Sequence, residues 1–323
     1  MFACPSISES MKARIESHTR RRFGVIDRFL NEQFGASWSQ RSRIICSETA
    51  LTQRKNLWEF ALQSNVLLRL HKARQLESIF PDLTVDSFQF ESDTYKLCLL
   101  GSSKVVTDDL ATAWHPQFHG RNVFPSCTDF SDASRRTRQA IELLEPYPDF
   151  TDLILNECGA VCFISSAPDM EEGQCISLAS KMVPGLIYVS PTSPILLAES
   201  LVHESAHLRF RALEEVTDLY SDGPNMLVKT PLRPDPRPIS GLMHQLVVLR
   251  YLAALYEKLR TSNEMTISRQ RQQVEKRFHR HLQDLEAGKY MARNVMPALT
   301  SDGRRLLDML LEDPEPILSD QND

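Results

Sequence analysis

Apolar and polar positions recur along this chain with two different periods. In residues 8–34 and 48–79 the apolar residues return every three to four positions, as in amphipathic helices. Ser8 stands as an N-cap for the first, and Leu57, Phe60, Ala61, Leu67 and Leu68 mark the stripe of the second. Residues 80–106 change to an alternating pattern that predicts one or two short strands, and residues 112–132 read as a loop rich in Pro, Gly, Ser and Asp. A helix is expected over about 131–145. Two short β-branched runs follow, "AVCFISS" (160–166) and "GLIYVSP" (185–191), with "SAPDMEEGQ" between them as a long hairpin connection. The helical period returns over about 193–217. A stretch with five prolines (220–241) reads as a loop, and two further helices are expected over 242–260 and 263–290. The pattern predicts an α+β, mainly helical fold with a small β-sheet beside the helix at 193–217. An N-terminal helical region (1–130) carries no motif, residues 131–311 carry the candidate chemistry, and 312–323 form an acidic, frayed tail.

Composition narrows the function classes. The chain has 323 residues, 42% hydrophobic and 24% charged, with a net charge of -5, and a pI near 6.0. Mild acidity argues against holding nucleic acid through its phosphates. The apolar runs, such as "GLIYV", look too short to span a bilayer, and the first residues lack the basic start and apolar core of a secretory signal. Seven cysteines at irregular spacing, without a CxxC pair, suit a reducing cytoplasm better than a disulfide framework. Cys158 and Cys162, read as lying on one side of a strand, are expected to be core residues.

The helix at 193–217 contains "LAESLVHESAH". Residues four apart share a helix face, so His203 and His207 can direct two imidazoles at one point. The sequence on both sides is apolar, where histidines without a task would be costly. A divalent metal is the expected occupant, and Glu204 beside it is a candidate base, orienting group or further ligand. The same spacing at His115 and His119 carries less meaning, because Pro116 breaks a helix there. His279 and His281 are two apart on a charged helix and are expected on a solvated face.

Two histidines call for a third ligand. The long pattern HExxHxxGxxH fails, with Phe210 and Leu213 at its last two fixed positions. Glu214 and Glu215 lie on the same helix, pointing away or too far along it, and Glu257 lies on a later one. His244, which opens an apolar helix after the proline-rich stretch, is the better candidate.

These residues together resemble the HExxH-motif peptide β-hydroxylases of ribosomally made peptide natural product pathways. The match joins His203, Glu204 and His207 to an Arg-Pro pair (Arg237, Pro238) and a Gly-x-x-His step (Gly241, His244), and covers about residues 155–260. Leu232 stands where that family usually has an aromatic. The resemblance implies a non-haem iron(II) enzyme with 2-oxoglutarate as cosubstrate and three histidine ligands, leaving three metal positions open. The cosubstrate carboxylate then needs a cation, and Arg237, Arg233 and Lys229 are the candidates, with arginine the better fork. Glu204 becomes a group that orients a ligand or a water. A precursor peptide is the expected partner, with room for a homodimer and no role for nucleic acid or membrane. The competing readings are a zinc metallopeptidase with Glu204 as general base, and a non-enzymatic partner protein with a degenerate site.

Overall fold

The computed structural model describes residues 13, 83–90, 93–100, 129–158, 160–164, 175–179, 186–221, 223–230, 233–262, 267–268 and 270–312. Apart from helical Ala13, the expected helices at 8–34 and 48–79 lie outside these residues, as do the loop containing His115 and His119 and the acidic tail beyond Glu312. The chain divides into two compact units, residues 13–208 and residues 209–323 with 1–12.

The first unit holds a five-stranded sheet in the order β1-β2-β3-β5-β4. The alternating stretch becomes an antiparallel pair, β1 (Leu83–Phe90) and β2 (Asp93–Leu100). Next come helices α1 (Phe130–Leu144) and α2 (Pro148–Glu157), then β3 (Ala160–Phe163), which runs parallel to β2. Parallel neighbours need such a crossover. Asp129 caps α1 by accepting from the Asp132 N–H at 2.9 Å. The periodic reading passed over α2, although Pro148 at its first turn was an available start signal.

The expected hairpin between 160–166 and 185–191 is corrected. Strand β5 (Leu186–Val189) is parallel to β3, and its antiparallel neighbour is the three-residue edge strand β4 (Ser177–Ala179). Val161, Cys162, Phe163, Ile187, Tyr188 and Val189 have no exposed surface. Burial on both faces explains why these strands read as unbroken apolar runs rather than alternations. Cys158 and Cys162 are core residues as expected, but Cys158 caps the end of α2 rather than sharing a strand with Cys162. Helix α3 (Pro194–Val216) follows β5, with Leu197, Ala198, Leu201, Val202 and Ala206 fully buried.

In the second unit, helix α4 (Ile239–Thr261) is apolar around most of its circumference and packs against α5 (Arg271–Arg293). Among the described residues α4 is the one helix long and apolar enough to cross a membrane, a length the short runs did not suggest, and 78% of its apolar window is buried within the protein. A helix apolar all round is also what a protein core demands.

The proline-rich stretch is not a loop throughout. Its residues form an antiparallel hairpin of β6 (Leu227–Thr230) and β7 (Arg233–Pro238), with an irregularity between Val228 and Thr230. Pro234, Pro236 and Pro238 occupy alternate positions of β7. Alternate residues of a strand direct their N–H groups to the same edge, so the three missing donors fall together and the intervening residues can still pair with β6. His281 is a second correction. It is 8% exposed and stacks on Tyr256 with ring centroids 5.3 Å apart, whereas His279 is exposed. The buried stripe of α5 runs through Val274, Phe278, His281 and Leu285, a helical spacing that takes in one histidine and leaves out the other.

Helix α6 (Ser301–Leu311) starts at Thr300, whose hydroxyl accepts from the Gly303 N–H and donates to the Asp218 carbonyl. A Cβ on Gly303 would lie 2.1 Å from the Leu219 carbonyl oxygen, which is backbone and cannot rotate aside. Gly303→Ala is therefore expected to destabilise the protein. Overpacking costs about 1–3 kcal/mol, against the ~1 kcal/mol that alanine gains over glycine in a helix interior. A urea midpoint at or above that of the unsubstituted protein would contradict this.

Candidate functional site

Within residues 13–208 the site is built on α3. His203 and His207 lie one turn apart on its partly exposed face, with ring centroids 4.9 Å apart and ring planes at 62°. Their Nε2 atoms are 3.2 Å apart. Two nitrogens bound at about 2.1 Å to one ion, at angles between octahedral and tetrahedral, stand about 3.0–3.4 Å apart. The pair therefore fits two adjacent ligands of a divalent metal.

Glu204, the next residue, turns into the protein and is 4% exposed. One carboxylate oxygen accepts from the Ser177 hydroxyl and the other from the Ala179 N–H, each at 2.7 Å. Both partners lie on edge strand β4. The carboxylate thus caps a strand edge and ties α3 to the sheet, while Oε1 stays 3.9 Å from the His203 Nε2. Beside this latch, the Cys175 thiol accepts from the Ser200 hydroxyl at 3.1 Å, and burial pushes it above the usual thiol range.

In the second unit His244 sits on the first turns of α4. Its ring packs edge-to-face on Phe210 at 4.5 Å, and its Nε2 is 2.9 Å from Glu214 Oε2. The Glu214 carboxylate also accepts from the Tyr220 hydroxyl, and Ser240 is a further partner. Burial opposes the ionised form of Glu214. The hydrogen bond and charge of His244, with help from Ser240 and Tyr220, outweigh that and hold the carboxyl below its usual range. Burial, reinforced by the Glu214 charge, pushes the Tyr220 hydroxyl well above its usual range, so it remains a donor.

The sequence places Glu214 as pointing away or too far along the helix. The positions 203, 207, 210 and 214 advance by four, three and four, which is one face of α3. Glu214 does not point away; it lies about 10 Å beyond His207 along the helix axis and meets His244.

The candidate cations lie on the hairpin. Lys229 is exposed on β6, and Arg233 begins β7 paired with Thr230. Arg237 pairs with Val228 through the backbone, and its Nε is 3.0 Å from Asp235 Oδ2. A Cβ on Gly241 would lie 3.6 Å from the Arg237 Cβ, so the glycine and arginine of the Arg-Pro, Gly-x-x-His pattern are neighbours.

Among the described residues, no group of three or more His, Cys, Asp and Glu side chains gathers as a cation site. Among the described residues of 13–208 the His203–His207 pair is where two imidazole nitrogens come together. Searches with the whole sequence find no protein-family model and no curated protein that it matches.

Proposed function

We propose that this chain is a non-haem iron(II), 2-oxoglutarate-dependent oxygenase that hydroxylates a β-carbon in a ribosomally made precursor peptide. His203 and His207 supply two ligands, and the Gly241-to-His244 step of the motif assigns the third to His244. Iron(II), when bound, supplies the activation of dioxygen; one oxygen atom enters the peptide and the other enters succinate as 2-oxoglutarate loses carbon dioxide. The protein's own part is to supply the imidazoles, anchor the cosubstrate carboxylate and hold Glu204 as a structural latch.

The observation that carries this reading over a zinc peptidase is the placement of Glu204. A general base for metal-bound water needs an oxygen within hydrogen-bond reach of that water. Each Glu204 oxygen already accepts a hydrogen bond, from Ser177 or Ala179, with Oε1 3.9 Å from the His203 Nε2, and this structural employment favours the hydroxylase reading, in which no base is required. Purified protein given iron(II), ascorbate, 2-oxoglutarate and its peptide should release succinate and add one oxygen to the peptide. Zinc-dependent cleavage without succinate would establish the peptidase instead.

Arg237 is the preferred anchor for the cosubstrate. Its side chain is 23% exposed and forms an ion pair with Asp235, and arginine matches a carboxylate with two parallel donors. Truncating one side of a buried charge-assisted pair costs about 2–5 kcal/mol, so Arg237→Ala should raise the 2-oxoglutarate requirement roughly thirty-fold or more. Wild-type 2-oxoglutarate dependence in that variant would move the anchor to Arg233.

A further inference from the structure

We propose that the outer edge of β6 is a docking strand for an extended peptide segment that carries a carboxylate side chain and, two residues later, an apolar one. The surface lies wholly within residues 209–323, and its occupation needs no metal, so it goes beyond the proposed chemistry. β6 and β7 form a sheet of two strands, which leaves each with an outer edge. The register decides which main-chain groups face outward. Leu227 stands opposite Pro238 and Val228 opposite Arg237, and the Ile239 N–H donates to the Met226 carbonyl at 2.7 Å. In an antiparallel pair, hydrogen-bonded and non-bonded positions alternate. Met226 and Val228 therefore turn their main-chain groups toward β7, and Leu227 and Lys229 turn theirs away from it.

The two edges are equipped differently. On β7 the outward position opposite Leu227 is Pro238, and Pro236 and Pro234 repeat it at intervals of two, so that edge lacks donors. On β6 the outward N–H and C=O groups of Leu227 and Lys229 enter no hydrogen bond among the described residues. Their side chains share the solvent face. Leu227 is 67% exposed and Lys229 is exposed too, while Val228 is half-buried and Thr230 buried. An edge with both donors and acceptors open is a template for strand addition. An antiparallel peptide strand, the pairing with the slightly stronger bonds, sets one residue opposite Lys229 and the residue two further on opposite Leu227. Opposed residues share a face, so a carboxylate at the first meets the ammonium and an apolar side chain at the second covers Leu227. A second copy of this chain suits the edge less well. Four residues bury far less than the ~1,200 Å² of a stable interface, and a lysine on an edge discourages like strands.

The test reads fluorescence anisotropy of short labelled peptides with the full-length protein in the presence of a chelator. The probe is a serine- and threonine-rich peptide with one glutamate and a valine two residues after it. It should bind saturably, and glutamine in place of the glutamate should weaken binding by up to about fivefold, as loss of an exposed ion pair does. Lys229→Glu should weaken it more, and that variant should prefer the same peptide with lysine in place of glutamate. Backbone N-methylation of the glutamate or the valine, whose N–H groups face β6, should abolish binding, and N-methylation of the residue between them should leave it unchanged. Leu227→Pro removes an outward N–H without touching the pairing with β7, and should weaken binding about tenfold or more with an unchanged circular dichroism spectrum. Should Leu227→Pro fail to fold, the N-methyl series carries the test on the unsubstituted protein. No binding of the peptide overturns the proposal, as does binding that is indifferent to the position of the N-methyl group or to the order of the glutamate and valine. A concentration-dependent dimer in sedimentation, broken by Leu227→Pro, overturns it in favour of a second copy.

Discussion

Glu204→Ala is expected to lower stability by about 3 kcal/mol, whereas Glu204→Gln should fold almost normally. Each hydrogen bond to a charged group is worth about 1.5–3 kcal/mol, and the alanine variant loses two of them and leaves the Ala179 N–H without its acceptor. Water entering the space left by the side chain recovers part of the sum, which sets the estimate near the lower end. At roughly 2–4 °C per kcal/mol for a protein of this size, the thermal midpoint should fall by about 6–12 °C. Glutamine answers the same partners differently. Its carbonyl can accept from the Ala179 N–H while its amide donates to the Ser177 hydroxyl, which is able to accept as well as donate. No charge remains, yet no buried group is left unpaired. The two variants therefore separate structure from chemistry. Under the hydroxylase proposal Glu204→Gln keeps partial turnover; under the peptidase alternative it loses the base and with it nearly all activity. An inactive but fully stable Glu204→Gln would count against the latch as the residue's main role.

The latch could not have been read from the sequence, because its partner strand has three residues. "SLA" is too short to display a period, and Ser177 and Ala179 gain meaning only once β5 places them at a sheet edge. The helix bearing His203 and His207 was legible because apolar residues flank the motif over more than five turns. The parallel direction of β3 and β5 was hidden, since an apolar run looks alike in either direction. The β6–β7 hairpin was misread for a different reason. Prolines were counted as breakers, although their alternate spacing at 234, 236 and 238 is the pattern a strand with one unpaired edge tolerates. Glu214 was also recoverable, since the steps from 203 through 207 and 210 to 214 trace one helix face. Distance along the helix hides its partner, because His244 comes from another helix and meets Glu214 two turns beyond His207.

His207→Ala is expected to have the largest effect of any single substitution, reducing metal binding by two orders of magnitude or more, and His203→Ala should match it. Tightly held divalent ions in small sites gain about 10–16 kcal/mol from roughly four ligands, so one ligand accounts for about 3 kcal/mol or more. That is a hundredfold or greater loss in affinity. The two losses should be alike because the nitrogens stand 3.2 Å apart and, under the proposed function, would serve one ion. Removing both should cost less than the sum, since a site that has lost one member of the pair no longer closes a chelate across the helix turn. Neither substitution should disturb folding much, because both rings lie on the partly exposed face of α3 while Leu201, Val202 and Ala206 keep the buried face filled. Cobalt(II) titration with parallel circular dichroism measures both quantities. Unaltered cobalt affinity in either folded variant would remove the pair from the metal site, and with it the basis for the oxygenase.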